Sequence, residues 1–156
     1  MLAMASLQNI VVSLRFQGDH LDPDEISRSL GTDATWAYRK GATQLSPRGR
    51  QVITQTGIWL LTVVNPSPIG LDEEVARMFS GLTSNLDHWN SIARHFEGSL
   101  FCGLSVPDCN EGVRFLPTTL KAVGERGLVL DLDIYCENDD MDEGILQPPR
   151  QRWLHG

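Results

Sequence analysis

The sequence lacks the features that define several large functional classes. It has only three cysteines and no Cys-x-x-Cys pair, which argues against a disulfide framework and a cysteine zinc motif. Acidic residues outnumber basic ones, 20 to 13, and the net charge of −7 argues against nucleic acid or an anionic membrane as a partner. No apolar run approaches the roughly 18 residues of a membrane span, and the N-terminus has no secretory leader pattern. We therefore expect a cytoplasmic protein.

Motifs that carry catalysis are also missing. The chain contains no Gly-x-Ser-x-Gly elbow, phosphate loop or dinucleotide fingerprint. Asp131 and Asp133 are the one exception, since carboxylates two residues apart on a strand lie about 6–7 Å apart on one face. That spacing suits acid–base work or a hydrated divalent cation, but no further Asp, Glu or His cluster accompanies it. We assign no catalytic residue, metal or cofactor, and expect that the protein is not an enzyme.

What the sequence does contain is three segments in which apolar residues alternate with other residues, at 10–16, 100–106 and 128–136. Successive side chains of a strand point to opposite faces, so each segment has one apolar face. The other face carries Ser13 and Arg15 in the first segment, and Asp131, Asp133 and Tyr135 in the last. This pattern predicts a sheet whose apolar face is covered by helices and whose second face, the open face, is partly exposed.

The intervening residues predict the remaining elements. A helix follows Asp22 and Pro23, a short strand lies at 35–41, and 42–50 is expected to be a flexible loop. The apolar run 57–64 predicts a central strand covered on both faces. Two helices follow, the second capped by Ser84, and a third opens at Pro117 with Leu120 and Val123 directed inward.

These elements predict one α+β domain over residues 9–137, with a mostly antiparallel, mixed sheet and helices packed on one face. The two halves each contain a strand, a helix and a strand, which suits ferredoxin-like halves. Residues 138–156 are acidic and contain prolines, so we expect a mobile tail, with Trp153 as an aromatic that could dock back onto the domain.

The candidate functional residues fall in three parts of the chain and are polarised in charge. Residues 39–50 contain four basic and no acidic side chains, whereas 131–143 contain seven acidic and no basic ones. Two interpretations are open. In a structural one, Arg39 or Arg15 pairs with an aspartate across the sheet, and tryptophans pack around the pair. In a functional one, these groups form a ligand- or partner-binding site. The predicted site comprises Trp36, Tyr38, Arg39, Lys40, Trp59, Asp131, Asp133 and Tyr135.

The order of several short motifs resembles a known bacterial family. The motifs are Val-Ser-Leu-Arg-Phe at 12–16, Leu-Asp-Pro-Asp-Glu-Ile at 21–26, Tyr-Arg-Lys-Gly at 38–41, Gly-Ile-Trp-Leu at 57–60 and Leu-Val-Leu-Asp-Leu-Asp-Ile-Tyr at 128–135. Together they are similar to domain of unknown function 4279 over roughly residues 9–137. The resemblance implies the domain and its hallmark segments, and it implies no activity.

Three functions remain open from the sequence. The first is a non-catalytic module that binds a basic protein partner, as an immunity protein binds a toxin. The second is a small-ligand-binding protein or enzyme that uses the Trp, Arg and Asp residues of the open face. The third is an oligomer building block, since an exposed edge strand near Trp36 could pair across a homodimer axis.

Overall fold

The computed structural model describes residues 9–65, 67–107 and 112–136, so the predicted tail, including Trp153, lies outside the described residues. Within these ranges the chain forms seven strands and four helices. Their bounds are β1 Asn9–Gly18, α1 Pro23–Leu30, β2 Trp36–Tyr38, β3 Thr43–Leu45, β4 Gln51–Ile53, β5 Gly57–Asn65, α2 Leu71–Ser80, α3 Leu86–Ala93, β6 Glu97–Val106, α4 Pro117–Glu125 and β7 Val129–Cys136. No described helix is long and apolar enough to cross a membrane.

Five strands form one mixed sheet in the order β2-β5-β1-β6-β7, and only the β6–β7 pair is parallel. This confirms the predicted α+β class. The first half has the split arrangement of a ferredoxin-like unit, because β1 and β2 both run antiparallel to β5, which lies between them. In the second half β6 and β7 are direct neighbours, so the two halves are not equivalent.

The core lies between the helices and one face of this sheet. The apolar residues of β1 that alternate with Ser13 and Arg15 are at most 2% exposed, as their pattern predicts. Aromatic rings meet beneath the helices, with Phe16 in contact with Trp59 and Trp89, and Phe79 packed edge-on against Trp89. Burial of a large apolar side chain stabilises a fold by about 1.5–3 kcal/mol, so this face holds the sheet and the helices together.

The helix boundaries follow local chemistry, with two corrections to the prediction. Asp22 caps α1 by accepting a hydrogen bond from the Asp24 amide, and Pro23 opens the helix as expected. The cap of α3 is Asn85 rather than Ser84, since the Asn85 side chain accepts from the Asp87 amide. In α4, Val123 is buried but Leu120 is 50% exposed, so only one of the two expected residues faces the core.

Two further elements differ from the sequence prediction. The apolar run 57–64 belongs to β5, an interior strand that pairs with both β1 and β2, but it is not covered on both faces throughout, since Val64 is 58% exposed. The expected loop at 42–50 is largely the start of a hairpin, in which β3 pairs with β4 as a separate two-stranded sheet. Gly49 makes the turn possible, because its φ of 73° lies in the left-handed region.

Candidate functional site

The strand register defines the open face, because cross-strand partners point to the same side of a sheet. The centre of this face is lined by short polar side chains. Ser13 pairs with Thr62 across β1 and β5, and their hydroxyl oxygens are 2.9 Å apart. From β2 to β7, the open face comprises Trp36, Tyr38, Ile58, Leu60, Thr62, Val64, Asn9, Val11, Ser13, Arg15, Gln17, Glu97, Ser99, Phe101, Gly103, Ser105, Val129, Asp131, Asp133 and Tyr135.

Among the described residues, one polar group at this centre has no hydrogen-bond partner. Ser99 is the cross-strand neighbour of Arg15, and its Oγ is buried without a hydrogen bond to any described group. Arg15 is half-buried and forms no ion pair within the described ranges. The interpretation in which Arg15 pairs with Asp131 or Asp133 is therefore wrong for this structure.

The β2 end of the open face is aromatic. The rings of Trp36 and Tyr38 meet edge-on with centroids 4.9 Å apart. Tyr38 is buried and Trp36 is 37% exposed, so the indole is the part of the pair that solvent or a partner can reach. Burial raises the pKa of Tyr38, and the positive charge of Arg15 opposes that rise. The phenol therefore stays neutral at physiological pH and can only donate or accept hydrogen bonds.

Arg39 and Lys40 follow β2, and acidic residues at the start of α1 and just before it hold them. Arg39 Nη2 lies 2.7 Å from Asp22 Oδ1 and 2.9 Å from Asp24 Oδ2, and the bond to Asp24 raises the pKa of Arg39. Lys40 forms an ion pair with Asp19, which lowers the pKa of that carboxyl. The expected pairing of Arg39 with Asp131 or Asp133 is therefore wrong, and both cations anchor the β2 end to the α1 region.

Trp59 does not lie on the open face. It pairs with Phe16 across β1, is fully buried beneath the helices, and its Nε1 donates to Ser27 Oγ at 2.9 Å. Its indole is therefore part of the core and cannot contact a ligand on the other side of the sheet.

The β7 end of the open face is acidic. Asp131 and Asp133 lie beside Phe101 and Gly103 of β6, and the Tyr135 hydroxyl donates to Asp133 Oδ2 at 2.6 Å. Asp131 is exposed and Tyr135 is 44% exposed. No group of three metal-ligating side chains occurs in the described part of the chain. The two carboxylates therefore present negative charge to solvent.

The two ends of the predicted site are far apart. β2 and β7 are the two outer strands of the sheet, four strand spacings from each other. At the roughly 4.8 Å between hydrogen-bonded strands, this separation is about 19 Å. Trp36 and Tyr38 therefore form one group and Asp131, Asp133 and Tyr135 another.

Sequence reasoning missed two sets of residues that matter here. Asp22 was predicted only to precede a helix, and Asp24 was noted only as part of a family motif, although both carboxylates bind Arg39. Leu132 and Ile134 were expected to be buried on the apolar face of β7, but they are 43% and 47% exposed. Their exposure could not be predicted from alternation alone, because it depends on their position on the last strand, beyond the helix layer.

The fold and the open face define a class of small α+β domain with a helix-covered mixed sheet. Its second face is buried at the centre, where Ser13 and Ser99 are at most 3% exposed, and is aromatic at one edge and acidic at the other. The chain belongs to the family described as a domain of unknown function (DUF4279), whose model matches residues 8–137. No curated protein and no solved structure matches it.

Proposed function

We propose that this protein is a non-catalytic protein-binding module that engages its partner through the open face. The observation that carries the proposal is the separation of about 19 Å between the β2 and β7 ends of that face. A small ligand needs groups that converge within a few ångströms in a concave site. A standard protein interface covers about 800 Å² of each partner, a patch roughly 28 Å across, which spans both ends.

The composition of the two ends supports the same function. Trp36 and Tyr135 are exposed at opposite edges, and tryptophan and tyrosine are among the residues that contribute most to protein interfaces. Asp131 adds exposed negative charge to a chain whose net charge is −7. This charge favours a basic partner, chiefly by accelerating association. Masking of such a partner, as by an immunity protein, is one form of this function.

The proposal includes a cytoplasmic location in a bacterium. Cys102 and Cys136 are both free thiols, which suits a reducing compartment. Burial raises the pKa of Cys102 to about 12, so this thiol remains protonated and unreactive in the folded protein. Its role is that of a small apolar side chain in the core.

A second candidate function is the binding of a small anion at the centre of the open face. The supporting observation is the pair formed by Arg15, which has no ion pair among the described residues, and Ser99, whose buried Oγ has no hydrogen-bond partner there. A carboxylate or phosphate group could accept from both. Loss of anion binding in an Arg15→Met variant, with retention of any protein partner, would favour this candidate.

The test of the first candidate is an affinity capture from the native host with three forms of the full chain. The face variant carries Trp36→Ala and Tyr135→Ala. The matched control carries Ile69→Ala and Leu120→Ala, which replace residues with 78% and 50% exposure outside the open face. We expect one stoichiometric protein to be retained by the wild type and the control and lost from the face variant. Equal retention by all three forms, or no specific retention by any, contradicts the proposal.

A further inference from the structure

β7 is the last strand at one edge of the five-stranded sheet. β7 is an eight-residue strand that pairs on one side with β6, and no strand in the described ranges pairs with its other side. Such an edge presents a row of N–H and C=O groups that can accept another strand. The opposite edge of the sheet offers much less, because β2 is only three residues long.

The two faces of β7 differ in chemistry, one being apolar and the other acidic. Leu132 and Ile134 point to the helix side of the sheet but remain 43% and 47% exposed, whereas Leu130 packs against the core. The helix layer therefore covers only the start of β7. On the open face the same strand presents Asp131 and Asp133. A strand added beside β7 would place alternate side chains next to the apolar pair and next to the acidic pair.

We propose that β7 binds an extended segment of a partner by strand addition, and that this segment alternates basic and apolar residues. The inference rests on the proposed function, of which it specifies the partner's chemistry and mode of binding. Charge complementarity supports it, because residues 137–143 add five acidic side chains directly after the strand and no basic one. Main-chain hydrogen bonds would supply affinity, and the alternating side chains would supply specificity.

The same charges disfavour pairing of β7 with the β7 strand of a second copy of this chain. Antiparallel pairing of two β7 strands about Leu132 places Asp131 of each copy opposite Asp133 of the other. Like charges directly opposite each other destabilise a strand pair. The carboxylates that oppose self-association are therefore the groups that would select a basic segment.

The probe is a soluble peptide of alternating lysine and valine, titrated into the isotope-labelled full chain while backbone amide signals are followed. Two control peptides have the same length. One carries the lysines and valines in two separate blocks, and the other alternates glutamate and valine. We expect the alternating lysine peptide to shift the amides of residues 129–136, and both controls to bind at least about tenfold more weakly.

A charge-reversal variant, Asp131→Lys with Asp133→Lys, completes the test. Both positions are solvent-accessible, so the change leaves the core intact. We expect the peptide preference of this variant to be reversed, so that it binds the alternating glutamate peptide at least about tenfold more tightly than the alternating lysine peptide. Equal binding of the block and alternating peptides, shifts centred away from β7, or no binding at all would overturn strand addition.

The two proposals fail in different ways. If the peptide does not bind β7 while the host partner still depends on Trp36 and Tyr135, the open face docks a folded surface and the edge proposal is wrong. If the peptide binds β7 and the Trp36→Ala variant retains the host partner as well as the wild type does, the β2 end plays no part in binding and the wider proposed function is wrong.

Discussion

Replacement of Trp59 by phenylalanine tests the placement of this residue in the core rather than on the open face. Its indole is fully buried, lies 6.1 Å from the Phe16 ring, and donates to Ser27 Oγ at 2.9 Å. Loss of that hydrogen bond costs about 1 kcal/mol. The smaller ring leaves a void that costs about 1–2 kcal/mol more, well below the 3–5 kcal/mol of a truncation to alanine. We expect the free energy of unfolding to fall by about 2–3 kcal/mol.

The assay is urea denaturation followed by circular dichroism. For a domain of this size the dependence of unfolding free energy on urea is about 2 kcal/mol per molar, so the midpoint should fall by about 1–1.5 M. The matched control is Trp36→Phe, since Trp36 is 37% exposed and makes its ring contact with Tyr38 on the open face. This change should cost about 0.5 kcal/mol or less. A loss below 0.5 kcal/mol for Trp59→Phe, or equal losses for both variants, would refute the placement.

Three other outcomes follow from the described contacts. With the other two cysteines replaced by serine, Cys102 should react with a thiol reagent at pH 8 at least about 10³-fold more slowly in native protein than in urea. Its burial and its pKa of about 12 keep the thiol inaccessible and protonated in the folded protein. Arg126→Ala should lower the unfolding free energy by about 2–3 kcal/mol, since the guanidinium carbon lies 4.4 Å above the Phe79 ring centre and 5.3 Å from that of Trp89. Arg126→Met should lower it by less, because methionine keeps the apolar packing of the side chain. Asp72→Ala should cost about 1–2 kcal/mol in the same denaturation assay, and Asp72→Asn less, because this carboxylate accepts two hydrogen bonds at the start of α4.

Local alternation was enough to predict the faces of β1. The apolar residues that alternate with Ser13 and Arg15 are buried, and Ser13 and Arg15 lie on the other face, because a period of two is a property of each strand by itself. The caps of α1 were predictable for the same reason, since Asp22 and Pro23 act within one turn. The resemblance to domain of unknown function 4279 was also confirmed, because it depends on the order of short motifs along the chain.

Strand order could not be predicted, and the site prediction depended on it. Trp59 lies in a continuous apolar run, so the sequence contains no alternation to assign its face, and only the pairing with Phe16 decides it. Arg39 was linked to Asp131 by charge alone, whereas the strand order places β2, which Arg39 follows, and β7, which carries Asp131, at opposite edges of the sheet. Pairing between distant segments is a property of the whole fold and leaves no local signal.

The sharpest test of a single binding surface is the dissociation constant of the captured partner for single variants at the two ends of the open face, Trp36→Ala and Tyr135→Ala. We expect each variant, with its folding verified, to bind the same partner about fivefold or more weakly, because one protein interface spans both ends. If only one end affects the dissociation constant, or neither does, the open face is not a single binding surface and the proposed function is wrong.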